Sequence, residues 1–166
     1  MSCRRVAAVL KAFYDVDIIF RQDKLSGIYD IELSSKIDTL TRGFDDVFKA
    51  PISRYCDFPL DFISEKTDIN VLASSREVGL YLGVSGNGKQ VYVSGHPEYD
   101  VDTLDQEYHR DLAANKSPNI PINYYPNNDP NKAPLCSWRG HSSLLFCNWL
   151  NYYVYQETPY DPYQSK

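Results

Sequence analysis

The sequence predicts one α/β domain, and three stretches carry that reading. Val6, Val9, Leu10 and Phe13 recur at i, i+3, i+4 and i+7, the period of an amphipathic helix over residues 3–14. Residues 78–84 and 91–93 are apolar, β-branched and aromatic, and Gly86-Asn87-Gly88 between them is a turn signal, so they form a hairpin. Asp100 or Asp102 caps a helix to about Ala114, with Leu104, Tyr108 and Leu112 as its buried stripe. The chain has 166 residues, 43% of them hydrophobic, which suffices for a single domain over 1–166 with its own core.

The remaining elements follow in order. Residues 16–20 are a short strand candidate. Lys24-Leu25-Ser26-Gly27 holds a glycine turn, and residues 28–33 alternate as a strand. Residues 45–49 read as one helical turn. Residues 53–59 carry two aromatics yet end in proline, which reads as an ordered loop. A short helix over 60–65 and a strand over 69–73 lead into the hairpin. Residues 116–134 are rich in Pro and Asn; a connection this long is functional, specifically packed or disordered. Ile120, Ile122, Tyr124 and Tyr125 favour packing. A last helix spans about 140–156, with Leu145, Trp149, Tyr152 and Tyr153 on one side, and Thr158-Pro159 ends it. There is no internal repeat and no interdomain linker.

Composition narrows the function. The net charge is −5 and the isoelectric point about 5.1, with no basic cluster beyond Arg4-Arg5, which disfavours a nucleic-acid partner. No apolar run reaches membrane-spanning length, and no secretory signal is present, so the expected location is the cytoplasm. Cys3, Cys56, Cys136 and Cys147 form no CxxC pair; they are expected as reduced thiols, and no metal site is expected. Fourteen tyrosines, many near the C-terminus, suit a sugar site or an interface, and more commonly the outer wall of a core.

The chemistry concentrates after the hairpin. Gly95 permits a sharp bend and Pro97 cannot continue a ladder, so His96 stands at a strand's carboxyl end, where open α/β sheets place their ligands. Glu98, two residues on, can orient an imidazole or stabilise its charged form. A lone His is more often structural, and this spacing is common by chance. Cys3 opens a helix, whose dipole favours a thiolate; so near a terminus it reads first as incidental. Glu107 and Arg110 lie at i, i+3, by default a surface ion pair worth little. If their helix begins beside His96, Arg110 faces the same cleft.

Several blocks together resemble the homoserine O-acyltransferases of the MetA type. They are Lys24-Leu25-Ser26-Gly27, Leu40-Thr41-Arg42-Gly43-Phe44-Asp45-Asp46, Ser53-Arg54-Tyr55-Cys56-Asp57-Phe58-Pro59, Gly95-His96-Pro97-Glu98-Tyr99-Asp100, Asn123-Tyr124-Tyr125-Pro126 and residues 144–161. Their order and spacing hold from about Lys24 to Asp161. The resemblance implies a flavodoxin-like α/β fold related to class I glutamine amidotransferases. It implies that Cys3 is the nucleophile, taking an acetyl or succinyl group from acyl-CoA as a thioester. The L-homoserine hydroxyl then attacks, with His96 as general base and Glu98 holding and polarising it. Lys24, Ser53 and Arg110 match substrate-contacting positions, and Arg110 could hold an amino-acid carboxylate in a two-pronged way. The implied setting is methionine biosynthesis, with acetyl-CoA or succinyl-CoA as co-substrate, no further cofactor, and a homodimer.

Two departures matter. Arg4-Arg5 stands where the family usually has Trp and small residues. The chain also resembles only the C-terminal half of the family, so the expectation is a fold incomplete at the N-terminus. That makes it a fragment or truncated reading frame, with exposed sheet edges and no activity alone. Three alternatives remain open. A serine acceptor is a close variant. A Cys–His–Glu amidotransferase or hydrolase would release ammonia or acid, although the aromatic C-terminal blocks argue against it. A truncated, non-catalytic binding domain fits the tyrosine-rich composition.

Overall fold

The structure is a computed structural model that describes residues 3–17, 19–34 and 38–156, with only the backbone of Cys3 and Arg4. It begins with helix α1 (Cys3–Tyr14). Val6, Ala7 and Leu10 are buried, while Phe13, the last residue of the expected stripe, is 66% exposed. The strands are β1 (Ile19–Leu33), β2 (Val47–Asp57), β3 (Asn70–Ser75), β4 (Gly79–Val84) and β5 (Val91–Val93). Helix α2 (Leu60–Lys66) follows β2, and α3 (Thr103–Ala113) follows β5. Helix α4 (Arg139–Asn148) passes into a π-helical segment, Trp149–Tyr155.

The sheet order is β2-β1-β3-β4-β5, and every pairing of neighbours is antiparallel. Its outer members meet at the residues after β5. Ser94 donates its N–H to Tyr81 O of β4 at 2.9 Å, and His96 donates its N–H to Pro51 O of β2 at 2.9 Å. One residue's N and C=O point to the same side of a strand. The Pro51 nitrogen therefore faces the outer edge too, where its missing N–H costs no ladder bond. Gly95 makes the crossing possible: a Cβ there would lie 2.5 Å from Tyr81 Cε2 and 2.9 Å from Ile52 Cδ1.

Several expectations change. The stretches 45–49 and 53–59 are largely strand instead of helical turn and loop: β2 takes in residues 47–49 of the first and 53–57 of the second. Its ten-pair register with β1 outweighs the local turn signals. Residues 16–20 and 28–33 are not separate strands: β1 is continuous from Ile19, with a register shift between Phe20 and Leu25. In α3, Leu112 is exposed and Asp111 is buried in its place. Asp102 is the N-cap residue but makes no side-chain cap bond; its carboxylate accepts from Gln106 Nε2 at 2.6 Å. The 140–156 helix is α-helical only to Asn148. Asn148, not Trp149, turns inward and donates to Leu40 O at 3.0 Å and Arg42 O at 2.9 Å. The stop at Thr158-Pro159 lies outside the described residues.

Three apolar clusters surround the sheet. The largest holds Tyr29, Ile31, Phe48, Ile52 and Leu82 with Leu145 of α4. A second packs α1 and α2 against Cys56, Phe58, Leu80 and Tyr92. The third joins Ile28 of β1 to Leu104, Tyr124, Tyr125 and Trp138, and so draws α3 and residues 116–134 against the sheet. Tyr124 and Tyr125 are buried, with hydroxyls bonded inside the protein to Val101 O and Asp105 Oδ1 rather than reaching water. Ile120 and Ile122 are exposed in side chain, but the Ile122 backbone bridges β1 at Gly27. A Cβ on Gly27 would fall 2.3 Å from Ile122 O, and its φ is +143°, so glycine is required there.

Candidate active site

His96 is fixed before any ligand arrives. Its N–H is tied to β2, its ring is buried, and its Nδ1 lies 2.8 Å from Glu98 Oε1. Partial burial would raise the Glu98 carboxyl, but the His96 contact and a backbone hydrogen bond outweigh it and hold the group below the usual carboxylate range. An ionised carboxylate only accepts, so Nδ1 carries the proton in this contact and Nε2 of the neutral ring keeps its lone pair. That is the tautomer a general base needs.

Arg54 anchors the segment leading to His96. Buried in β2, its guanidinium donates to Ser94 Oγ at 2.7 Å, to Ser94 O at 3.3 Å and to Val78 O, and covers the face of Phe58. Ser53, the residue before it, serves a different cluster, because successive side chains of a strand leave opposite faces.

That cluster is built on Glu107 of α3. Oε2 accepts from Lys24 Nζ at 2.8 Å and from Ser53 Oγ, and Oε1 accepts from Tyr99 OH at 2.7 Å. Burial works to raise the Glu107 carboxyl; these three donors reverse the effect and hold it low. The same Lys24 Nζ lies 3.5 Å from Asp111 Oδ2. Asp111 is buried, and its other oxygen meets Lys116 at 3.2 Å and Arg110 at 3.3 Å. Burial again pushes upward, and the cations around Asp111 prevail, leaving its carboxyl low.

The structure thus joins most of the expected residues. His96 and Glu98 touch. Lys24 and Ser53 share one oxygen of Glu107, and Arg110 reaches the group through Asp111. The default surface pair between Glu107 and Arg110 is not formed. Arg110 is 64% exposed in side chain and turns to its neighbour Asp111, while Glu107 turns inward. Cys3 begins α1, but its side chain lies outside the described residues. Glu107, Tyr99 and Asp111 were not singled out as site residues. Their partners lie up to 87 positions away, and no local spacing marks them.

A cavity of about 260 Å³ opens on the Glu98 side, lined by Glu98, Cys136, Trp138, Arg139, Ser142 and Phe146 among others. Among the described residues, no group of three or more His, Cys, Asp or Glu side chains could hold a metal ion. Cys136 and Cys147 are free thiols, and no helix among the described residues is long and apolar enough to cross a membrane.

The family model described as HTS, homoserine O-succinyltransferase, matches residues 1–160. The chain belongs to the homoserine O-succinyltransferase family. A homoserine O-acetyltransferase from Succinatimonas hippei is 54% identical over 159 residues, covering 96% of this chain and 53% of that protein. A homoserine O-succinyltransferase from Tolumonas auensis is likewise 54% identical, over 96% of this chain and 50% of its own length. The chain spans about half the length of the curated relatives it matches. Relatives named for acetyl and for succinyl transfer are equally similar, so overall identity in this region does not separate the two donors. In fold, the chain is similar to a glutamine amidotransferase from Thermotoga maritima, with a TM-score of 0.58 at 17% identity. That match covers 92% of this chain and 68% of the other, and it shows a shared α/β fold.

Proposed function

We propose that this chain supplies the base and the substrate-binding groups of a homoserine O-acyltransferase that uses an acetyl or succinyl thioester of coenzyme A. The observation that carries the reading is the contact of the buried His96 ring with the half-exposed Glu98, 2.8 Å apart, beside the Lys24–Ser53–Glu107 cluster. Cys3 Sγ attacks the acyl carbonyl of acyl-CoA, the bond to the coenzyme's sulfur breaks, and coenzyme A leaves as its thiol. The homoserine hydroxyl then attacks the Cys3 thioester while Nε2 of His96 takes its proton. The Cys3 sulfur leaves and recovers a proton from His96, releasing O-acylhomoserine. Glu98 stabilises the imidazolium that forms between these transfers. Lys24 and Arg110 offer cations, and Glu107 an anion, to a substrate that carries both an ammonium and a carboxylate. The reaction needs no further cofactor and is suited to a cytoplasmic enzyme of methionine biosynthesis.

The test is intact mass spectrometry of the endogenous protein, as its cell makes it, after brief mixing with acetyl-CoA and, separately, succinyl-CoA, followed by addition of L-homoserine. An adduct of one acyl group on the wild-type chain, absent from Cys3→Ser and discharged by homoserine, is the expected result. No adduct from either donor would overturn the reading.

A further inference from the structure

We propose that Tyr99 is a positioning residue that sets the plane of the His96 ring and links it to the Lys24–Ser53–Glu107 cluster. The inference rests on the reading of His96 as the base, and it extends that reading to a residue with no proton-transfer role of its own.

The geometry is over-determined. The turn through Pro97 and Glu98 closes with Tyr99 N–H donating to His96 O at 3.1 Å. This brings the two rings into a stack, centroids 4.2 Å apart and planes 21° from parallel. The Tyr99 carbonyl accepts from Trp138 Nε1 at 3.1 Å, and the Trp138 side chain is itself buried. The Tyr99 hydroxyl donates to Glu107 Oε1 at 2.7 Å. Backbone on both sides and hydroxyl at the far end leave the ring little freedom. Stacking contributes modestly to stability. Its greater effect here is directional. Glu98 fixes the imidazole at one nitrogen, about which the ring can still swing; the Tyr99 face blocks the swing to one side.

Glu107 makes the link responsive. One carboxylate oxygen holds Lys24 and Ser53 and the other holds Tyr99. A ligand that draws Lys24 or Ser53 away shifts negative charge toward Oε1 and tightens the Tyr99 bond. A ligand cation on Glu107 does the reverse. Either change reaches His96 through one rigid ring, with no movement of the backbone. Tyr99 is in contact with both the binding cluster, through Glu107, and the base, through the stacked rings.

The experiment is NMR of the histidine ring protons in the intact chain. The sequence has only His96, His109 and His141, and His96→Gln assigns the signal of interest. Stacking should place the His96 protons upfield of those of an unstacked histidine. Tyr99→Leu should abolish that shift, and Tyr99→Phe, which keeps the ring, should restore it. Glu107→Gln should move the His96 signal in the parent chain and leave it in place in the Tyr99→Phe background. An unshifted His96 signal in Tyr99→Leu, or an equal response to Glu107→Gln in both backgrounds, overturns the proposal. If Tyr99→Leu does not fold, the Tyr99→Phe and Glu107→Gln comparison decides alone. Homoserine-dependent turnover gives a second readout: Tyr99→Leu should lower kcat on the order of a hundredfold while KM changes little, the signature of a misplaced base. Turnover is read in the endogenous protein; its absence there counts against acyl transfer, while the spectra still decide Tyr99.

Discussion

Two largely buried cations sit on neighbouring strands and are held in opposite ways. Arg54 of β2 bonds two backbone carbonyls and a serine hydroxyl and lies on the Phe58 ring. Lys24 of β1 bonds two carboxylates, Glu107 and Asp111. The Arg54 contacts belong to the chain that leads to His96, so nothing outside the fold can substitute for them. The Lys24 contacts are between side-chain charges, and a ligand carboxylate can exchange with them. One cation makes the corner; the other stands ready at its mouth. The difference separates what fixes a base from what binds a substrate.

The contrast predicts a graded set of effects. Arg54→Met strands the Ser94 and Val78 acceptors in the interior and should cost about 3 kcal/mol or more in urea denaturation. A loss under about 1 kcal/mol would break the comparison, because the corner would then stand without its cation. Gly95→Ala should cost about 1–3 kcal/mol by overpacking against Tyr81 and Ile52, again without touching the Lys24 cluster. Lys24→Met should lose only about 1 kcal/mol, while the homoserine KM rises on the order of tenfold. A KM effect larger for Arg54→Met than for Lys24→Met would invert the assignment.

Acid sharpens the same line. The Glu107 and Asp111 carboxyls are held below their ordinary range when folded. The unfolded chain therefore binds more protons at these sites as pH falls. Their contribution is complete above the unfolded value, about 4 for such carboxyls, and is lost as pH drops through the folded values. Glu107→Gln should flatten the stability–pH curve in that acid window, as read by urea denaturation at a series of pH values. Smallest of all, Lys49→Ala removes an exposed pair with Asp30 and should change stability by about 0.5 kcal/mol or less. Chemical denaturation at fixed pH would register any larger effect.

What could be read from the sequence divides along the same boundary. The hairpin of β4 and β5, the helices α2 and α3, and the Gly95-His96-Pro97-Glu98 turn are set by neighbours within a few residues, and they stand where local chemistry places them. Strand β2 was not legible. Pro51 and Arg54 are poor strand signals in isolation, and only the register with β1 and the His96 contact on the outer edge explain them. The polar run from Arg21 to Lys24 hid the continuity of β1 in the same way. In the site, Glu98 was legible because it lies two residues from His96. Glu107 reads wrongly from sequence because its nearest arginine or lysine, Arg110, is not its partner. Lys24 is 83 positions away, and only folding brings it near.

The crossing after β5 carries a consequence for how such chains can vary. Three residues, Ser94, Gly95 and His96, span from β4 to β2 with a hydrogen bond at each end. There is no slack in that span, so neither an insertion nor a deletion fits it. The turn at Gly86-Asn87-Gly88 lies on the surface, and a Cβ on Gly88 would meet nothing within 4 Å. Changes of length should accumulate in that turn and stop short of Ser94, so that natural diversity in this hairpin is permitted at its tip and forbidden at its root.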